Sequence, residues 1–231
     1  MTTTDAGRRG RDARPRAEGE AQRDAERTRL AILAAAEREF STKGLAGARV
    51  DTIAEESGVN KRMIYYYFGS KEDLYVAALE RAYVAMRESE TALRLDHLAP
   101  LDAVLRLVEF KFDYFVENRD LIKLLNGENI HNAEYLRRST RLREMHVSLN
   151  QTIGRILDAG VAEGTIRPGI DPIQLYISIS ALSYFYFSNI STLSTAFDRD
   201  LMKPAALKAR RQHAIDVIMG YVRPSPDAGP D

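Results

Sequence analysis

Residues 49–71 read RVDTIAEESGVNKRMIYYYFGSK, and the fold is decided there. Two helical stretches of about eight residues each flank Gly58, whose freedom at positive φ suits a tight interhelical turn. Ala54 is small where two helices must cross closely, and Asn60 is a good N-cap for the second stretch. Val59, Ile64 and Phe68 can turn inward, the last two lying one helical turn apart. Lys61, Arg62, Tyr65 and Tyr66 are left on the outward side, with Met63 and Tyr67 at its margin. On an ordinary surface a Lys-Arg pair is a solvated face, and an aromatic run at helical spacing is core. Three successive tyrosines cannot all face one core, however, because neighbours diverge by about 100°. A face of cations and phenols suits DNA: cations neutralise phosphates, hydroxyls donate to phosphate oxygens, and rings pack on sugars and thymine methyls.

On the N-terminal side, a helical period begins at Glu26, with Ile32, Ala36 and Phe40 in register beside Leu33. Lys43-Gly44 ends it and Gly47 marks the following loop. A short helix with Val50, Ile53 and Ala54 comes next. On the C-terminal side, Ser70-Lys71-Glu72-Asp73 is a capping box opening a long helix through Leu74, Ala78, Leu79, Tyr83 and Met86. Lys71 sits in its first turn, where free N–H groups already favour an anion, so a phosphate contact is expected there. Residues 1–24 lack aromatic and β-branched apolar side chains and are expected to be a disordered arm. Its first 16 residues hold Arg8, Arg9, Arg11, Arg14 and Arg16, against Asp5 and Asp12; in the plainer reading the arm is only a solvated tail.

The 231 residues hold 33 Lys plus Arg and 33 Asp plus Glu, which excludes a uniformly basic coat. The balance hides a split. Residues 1–71 carry 14 cations against 11 anions, and residues 72–231 carry 19 against 22, which points to an N-terminal anion-binding module. With 45% apolar and 29% charged residues the chain can support a buried core. The absence of cysteine excludes disulfides, thiolate metal sites and cysteine nucleophiles, and fits a reducing compartment. The first residues are polar and show no apolar run of a secretory signal.

Beyond the long helix, Pro100 starts a helix reaching about Asn118, Asn126-Gly127 interrupts, and a further pattern runs from about Ala133 to Gly164. Asp171-Pro172 combines an N-cap with proline at the first helical position. A last helix follows Pro204, stops near Gly220, and precedes a tail expected to be disordered over 224–231. No strand alternation is found, and the chain is expected to be all-α. Pro172 to Phe197 is uncharged over 26 residues, but ten of them are Ser, Thr, Asn or Gln, so a core or subunit-interface helix is expected rather than a membrane span. His97, His131, His146 and His213 are dispersed, with no HExxH spacing, and neither a nucleophile elbow nor a phosphate-cradling loop is present. Neither a metal, a cofactor nor a catalytic residue is expected, and the chain is not read as an enzyme.

The run IAEESGVNKRMIYYYFGSKEDLY, with AAEREFSTKGLAGARV before it, resembles the N-terminal signature of the TetR family of bacterial transcriptional regulators over residues 27–80. GTIRPGIDP also resembles the family, and the C-terminal half is faintly similar to its pyrimidine-catabolism regulators. The resemblance implies a three-helix helix-turn-helix domain over 25–71 and a larger helical effector-binding and dimerisation domain over 72–223. It places Asn60, Lys61, Arg62 and Met63 at the start of a recognition helix. Tyr65, Tyr66 and Tyr67 fall at phosphate- and base-contacting positions, and Lys71 at a phosphate clamp. Arg49 falls at a backbone-contacting site, where many members have small hydroxyl residues and this chain has Ala48-Arg49; the arm arginines would reach the minor groove.

It further implies a cytoplasmic homodimer joined through its last two helices, bound to a palindromic operator and released by a small-molecule effector. Phe110, Tyr114, His131, Tyr135 and Tyr186 are the candidate effector contacts; as ordinary core they would need no ligand. Two other functions remain open: an architectural or partner-dependent DNA-binding protein without effector, and a helical small-molecule-binding enzyme. Activator and repressor are not distinguished at this level.

Overall fold

The computed structural model describes residues 13–224, with side chains from residue 19 onward except Leu142, Arg143 and His146. Among the described residues all regular structure is helical. The chain divides into two compact units, one ending at Ala78 and the other beginning at Leu79. The boundary thus falls inside a helix, seven residues beyond the end at Lys71 expected for the first domain, because Leu74, Tyr75 and Ala78 are buried with the N-terminal helices.

In the first unit, α1 (Ala13–Gly47) buries Ile32, Leu33, Ala36 and Phe40 on one face. Its regular turn stops at Gly44 (φ 66°, ψ 173°), where the sequence predicts an end. The helix starts at Ala13, however, inside the stretch expected to be a disordered arm. Ala, Glu, Gln and Arg favour the helix intrinsically, so a helix can continue there with no apolar face to bury. Arg8, Arg9 and Arg11 lie outside the described residues, as does the tail beyond Pro224; the side chains of Arg14 and Arg16 also lie outside them. α2 (Val50–Ser57) packs on α1, and α3 (Lys61–Phe68) packs on α2. α4 (Lys71–Ala92) begins in this unit, with the Tyr75 ring edge-on to Phe40 at 5.1 Å.

The second unit is built around α5 (Pro100–Glu117), which packs against α7 (Thr140–Ala162), α8 (Pro172–Ser188) and α10 (Pro204–Val222). Val104, Leu107 and Val108 meet Ile153, Leu157, Leu175, Ile179, Ile218 and Val222 in one core. Phe112, Phe115, Leu121, Ile122 and Phe187 form a second, with Met86 of α4. Asp171 caps α8 through Gln174 N–H at 2.8 Å, as its sequence predicts. The uncharged run from Pro172 is not one span: Asn189 separates α8 from the short α9 (Ile190–Ala196), and among the described residues no helix is long and apolar enough to cross a membrane.

Two expectations fail here. α6 (Arg119–Ile130) runs straight through Asn126-Gly127. Its buried Leu121, Ile122, Leu124 and Glu128 hold the helix, and Asn126 Oδ1 accepts from Tyr184 and from Ser188 of α8 (2.9 Å to the latter). Tertiary contacts outweigh local propensity. The break comes later, at Asn132 (φ 53°) and Ala133 (φ 57°), and a 3-10 turn at Leu136–Arg138 follows. α7 therefore begins at Thr140 rather than near Ala133.

Candidate nucleic-acid interface

Gly58 (φ 70°, ψ 21°) is left-handed and ends α2. Its N–H donates to the Glu55 carbonyl at 3.2 Å, and Val59 N–H donates to that of Ala54 at 3.1 Å. Asn60 then opens α3, its Oδ1 accepting from Met63 N–H at 3.0 Å. With the entry angle fixed, the eight residues of α3 separate by face. Ile64 is buried, and Phe68 is half-buried with the Arg29 guanidinium 5.4 Å from its ring centre. Lys61, Arg62, Tyr65 and Tyr66 are exposed, and Met63 and Tyr67 are intermediate, the division read from the sequence. Tyr66 is 79% exposed and Tyr65 42%, with the Tyr67 ring edge-on to Tyr66 at 5.4 Å. Phenol rings held in water on a rigid helix are contact area waiting for a partner.

The cations around this face differ in commitment. Lys61 Nζ lies 3.0 Å from Asp51, an exposed pair that water screens heavily. Arg62 and Arg49 make no side-chain hydrogen bond or ion pair among the described residues. Arg49 is the extended N-cap residue of α2 (φ −118°, ψ 126°), and its N–H donates to the buried Glu39 carboxylate at 2.9 Å. The backbone is thus anchored while the guanidinium stays in water. Among the described residues Lys71 Nζ reaches only the Ala46 carbonyl, at 3.5 Å. Ser70 Oγ accepts from Asp73 N–H at 3.0 Å and donates to its carboxylate at 2.6 Å. Glu72 and Asp73 therefore already offset the positive end of α4, and anion attraction there rests on the Lys71 ammonium itself.

The second unit holds a cavity of about 520 Å³, walled by Tyr83 and Arg87 of α4, Lys111 and Phe115 of α5, Glu128 of α6 and Tyr176 of α8. The five residues expected to meet an effector lie elsewhere. Phe110 and Tyr114 pack on one another at 5.3 Å, and His131 and Tyr135 meet edge-on at 5.9 Å. The Tyr186 hydroxyl donates to the Leu201 carbonyl at 2.6 Å, and its ring meets Phe187 edge-on at 5.2 Å. None of the five lines the cavity. Its polar wall was missed from sequence, although Lys111 carries the signal: it shares a helical face with Val104, Val108 and Phe115, a cation in an apolar stripe. Among the described residues no cluster of His, Asp and Glu is placed to hold a metal.

The comparisons agree with this division. Residues 32–78 match the family described as bacterial regulatory proteins, tetR family, and residues 100–218 match the tetracyclin repressor-like C-terminal domain. The HTH-type transcriptional repressor NicS of Pseudomonas putida is 40% identical over 77% of this chain and 84% of its own. The HTH-type transcriptional regulator RutR of Escherichia coli K12 is 31% identical over 73% of this chain and 77% of its own. A crystal structure of a transcriptional regulator from Streptomyces coelicolor superposes with a TM-score of 0.66 at 26% identity, covering 85% of this chain and 99% of that one. A recognition helix with its phenols in water, an all-α second unit and two matched domains lead to one conclusion: this chain belongs to the TetR family of DNA-binding bacterial transcriptional regulators.

Proposed function

We propose that the chain works in the cytoplasm as a homodimeric repressor that grips a palindromic operator and releases it when a small molecule occupies the second unit. The observation that carries the DNA half of this reading is the outward face of α3, where Lys61, Arg62, Tyr65 and Tyr66 stand exposed around a buried Ile64. Lys61, Arg62 and Met63, following the Asn60 cap, enter the major groove and read base edges, while Tyr65, Tyr66 and Tyr67 meet phosphates and bases. Arg49 and Lys71 hold the backbone on either side. The dimer forms through α8 and α10, which present Ile173, Ile177 and Phe185, and Val217 and Tyr221, to solvent. A run of large apolar groups at helical spacing on a soluble helix calls for a partner, and a second copy supplies the same patch by two-fold symmetry.

Effector control runs through α4. Its first turn carries Lys71, and its later turns carry Tyr83, Met86 and Arg87, which wall the cavity. A ligand that favours one setting of this helix biases the clamp at its other end, with a coupling of typically 1–3 kcal/mol.

Selection of bound duplexes from a random pool tests the proposal. The expected product is an inverted repeat whose half-site centres lie about 34–36 Å apart, or one helical turn. Recovery of a single unrepeated site would remove the dimer from the reading, and no enrichment at low salt would remove the DNA half altogether.

A further inference from the structure

Two buried cations, Arg87 and Lys111, wall the cavity of the second unit and meet the buried Glu90 carboxylate. Lys111 is 1% exposed, Arg87 4% and Glu90 3%, so all three are charges taken out of water. Lys111 Nζ lies 2.5 Å from the Glu90 carboxylate, which Arg87 also engages. Both cations also donate to the Tyr176 hydroxyl, Lys111 at 2.8 Å. Both buried cations thus converge on the Glu90 carboxylate and the Tyr176 phenol. The third donor of Lys111 meets only the Met86 thioether, at 3.7 Å, a weak acceptor for an ammonium. Burial pushes the Tyr176 phenol up, but the charges of Lys111 and Arg87 outweigh it and hold the group below its ordinary value. A different buried carboxylate, Glu128, lines the cavity itself and is not spent on these cations. Glu128 is 2% exposed; its Oε1 accepts from Leu136 N–H at 2.7 Å, while its Oε2 has no hydrogen-bond partner among the described residues. Glu128 makes no ion pair among them either.

Buried charge is stable only when complemented, and half-satisfied buried polar groups are costly. The wall at Lys111, where the third donor of a buried ammonium meets only a thioether, asks for an anion or strong acceptor. The wall at Glu128 Oε2 asks for a donor. Between them the phenyl of Phe115 and the phenols of Tyr83 and Tyr184 give the cavity aromatic sides. We propose that the cavity binds a small aromatic carboxylate, its carboxylate on Lys111, Arg87 and the Tyr176 hydroxyl, and an N–H or O–H at its far end on Glu128. This rests on the reading of the second unit as the effector site, and names the class of effector. Charge-assisted hydrogen bonds on the carboxylate supply the preference over neutral analogues. The unsatisfied Glu128 oxygen supplies the preference for a ring that carries a donor.

Thermal unfolding of the full chain with benzoate, 4-aminobenzoate, phenylacetate and 4-hydroxyphenylacetate, each beside its primary amide, tests this without any variant. At saturating millimolar concentration at least one acid should raise Tm by roughly 3–8 °C, and its amide by much less. The amino or hydroxy acid should bind roughly tenfold more tightly than its unsubstituted parent. Lys111→Met should abolish the preference for acid over amide, and Glu128→Gln the preference for the donor-bearing ring, each checked for folding by its own melt. No acid outperforming its amide would overturn the proposal. So would a preference for acids that survives in a folded Lys111→Met. The operator titration separates the two readings. An acid that binds the cavity and leaves the selected duplex bound upholds the ligand class and removes the release step. DNA binding with no acid preference does the reverse.

Discussion

Tyr65 shows what a single side chain contributes, because its hydroxyl makes no hydrogen bond among the described residues and its ring is 42% exposed. Tyr65→Phe removes one oxygen from a surface, so stability should shift by no more than about 0.5 kcal/mol. If that oxygen donates to a phosphate, affinity for the selected operator should fall roughly 10- to 150-fold, the worth of one hydrogen bond to a charged group. Equal affinities in a fluorescence-anisotropy titration would return Tyr65 to plain surface. This residue was legible in the sequence because three neighbouring tyrosines on a helix must diverge. Lys111 and Glu128 were not, since periodicity says which face a residue occupies but not which distant charge meets it. The aromatic residues nominated as effector contacts were legible only as aromatic faces: Phe110 packs on Tyr114 and Tyr186 on Phe187, outside the walls of the cavity that Lys111 and Glu128 line.

At the scale of elements, the helix-turn-helix depends on two local devices, both readable from the sequence. Gly58 sits at φ 70°, and a Cβ built there meets nothing within 4 Å. The cost of Gly58→Ala is therefore backbone strain alone, about 1–2 kcal/mol. Asn60→Ala leaves Met63 N–H without its cap, a loss of about 1 kcal/mol. The two changes are coupled through one turn, so the double variant should fall short of the sum in urea melts. Additive losses would mean that the turn and the cap form independently. α7 teaches a different lesson. Gly160 has no such φ, yet a Cβ there would lie 2.5 Å from Ile166 Cδ1, so this glycine is fixed by close approach. Nothing local in the sequence reveals that contact. Helices with their own caps, α3, α4 and α8, start where the sequence places them; α6 and α7, whose ends are set by partners, do not.

For the whole molecule, the balanced net charge conceals a directed one, and salt exposes it. In the proposed dimer each protomer would offer Arg49, Lys61, Arg62 and Lys71 around α3. If all four neutralise phosphates in a dimer, log affinity should fall against log salt with a slope of about −7 between roughly 50 and 200 mM. Lys61 must leave Asp51 to take part, which weakens its share. Among the described residues Arg62 and Arg49 have no such rival, and Lys71 has only the Ala46 carbonyl. The sharpest version concerns Lys71, because Glu72 and Asp73 already offset the helix end beside it. Lys71→Ala removes one contact from each protomer, so the slope should shrink in magnitude by about 2 while the preference for the selected sequence persists. An unchanged slope with weaker binding would make Lys71 a local support of the α1–α2 connection through Ala46 instead of a clamp. Removal of residues 1–12, measured in the same titration, reads the contribution of Arg8, Arg9 and Arg11 separately. A dimer that loses slope on that truncation but keeps its operator uses the N-terminal arginines for grip and leaves sequence reading to α3.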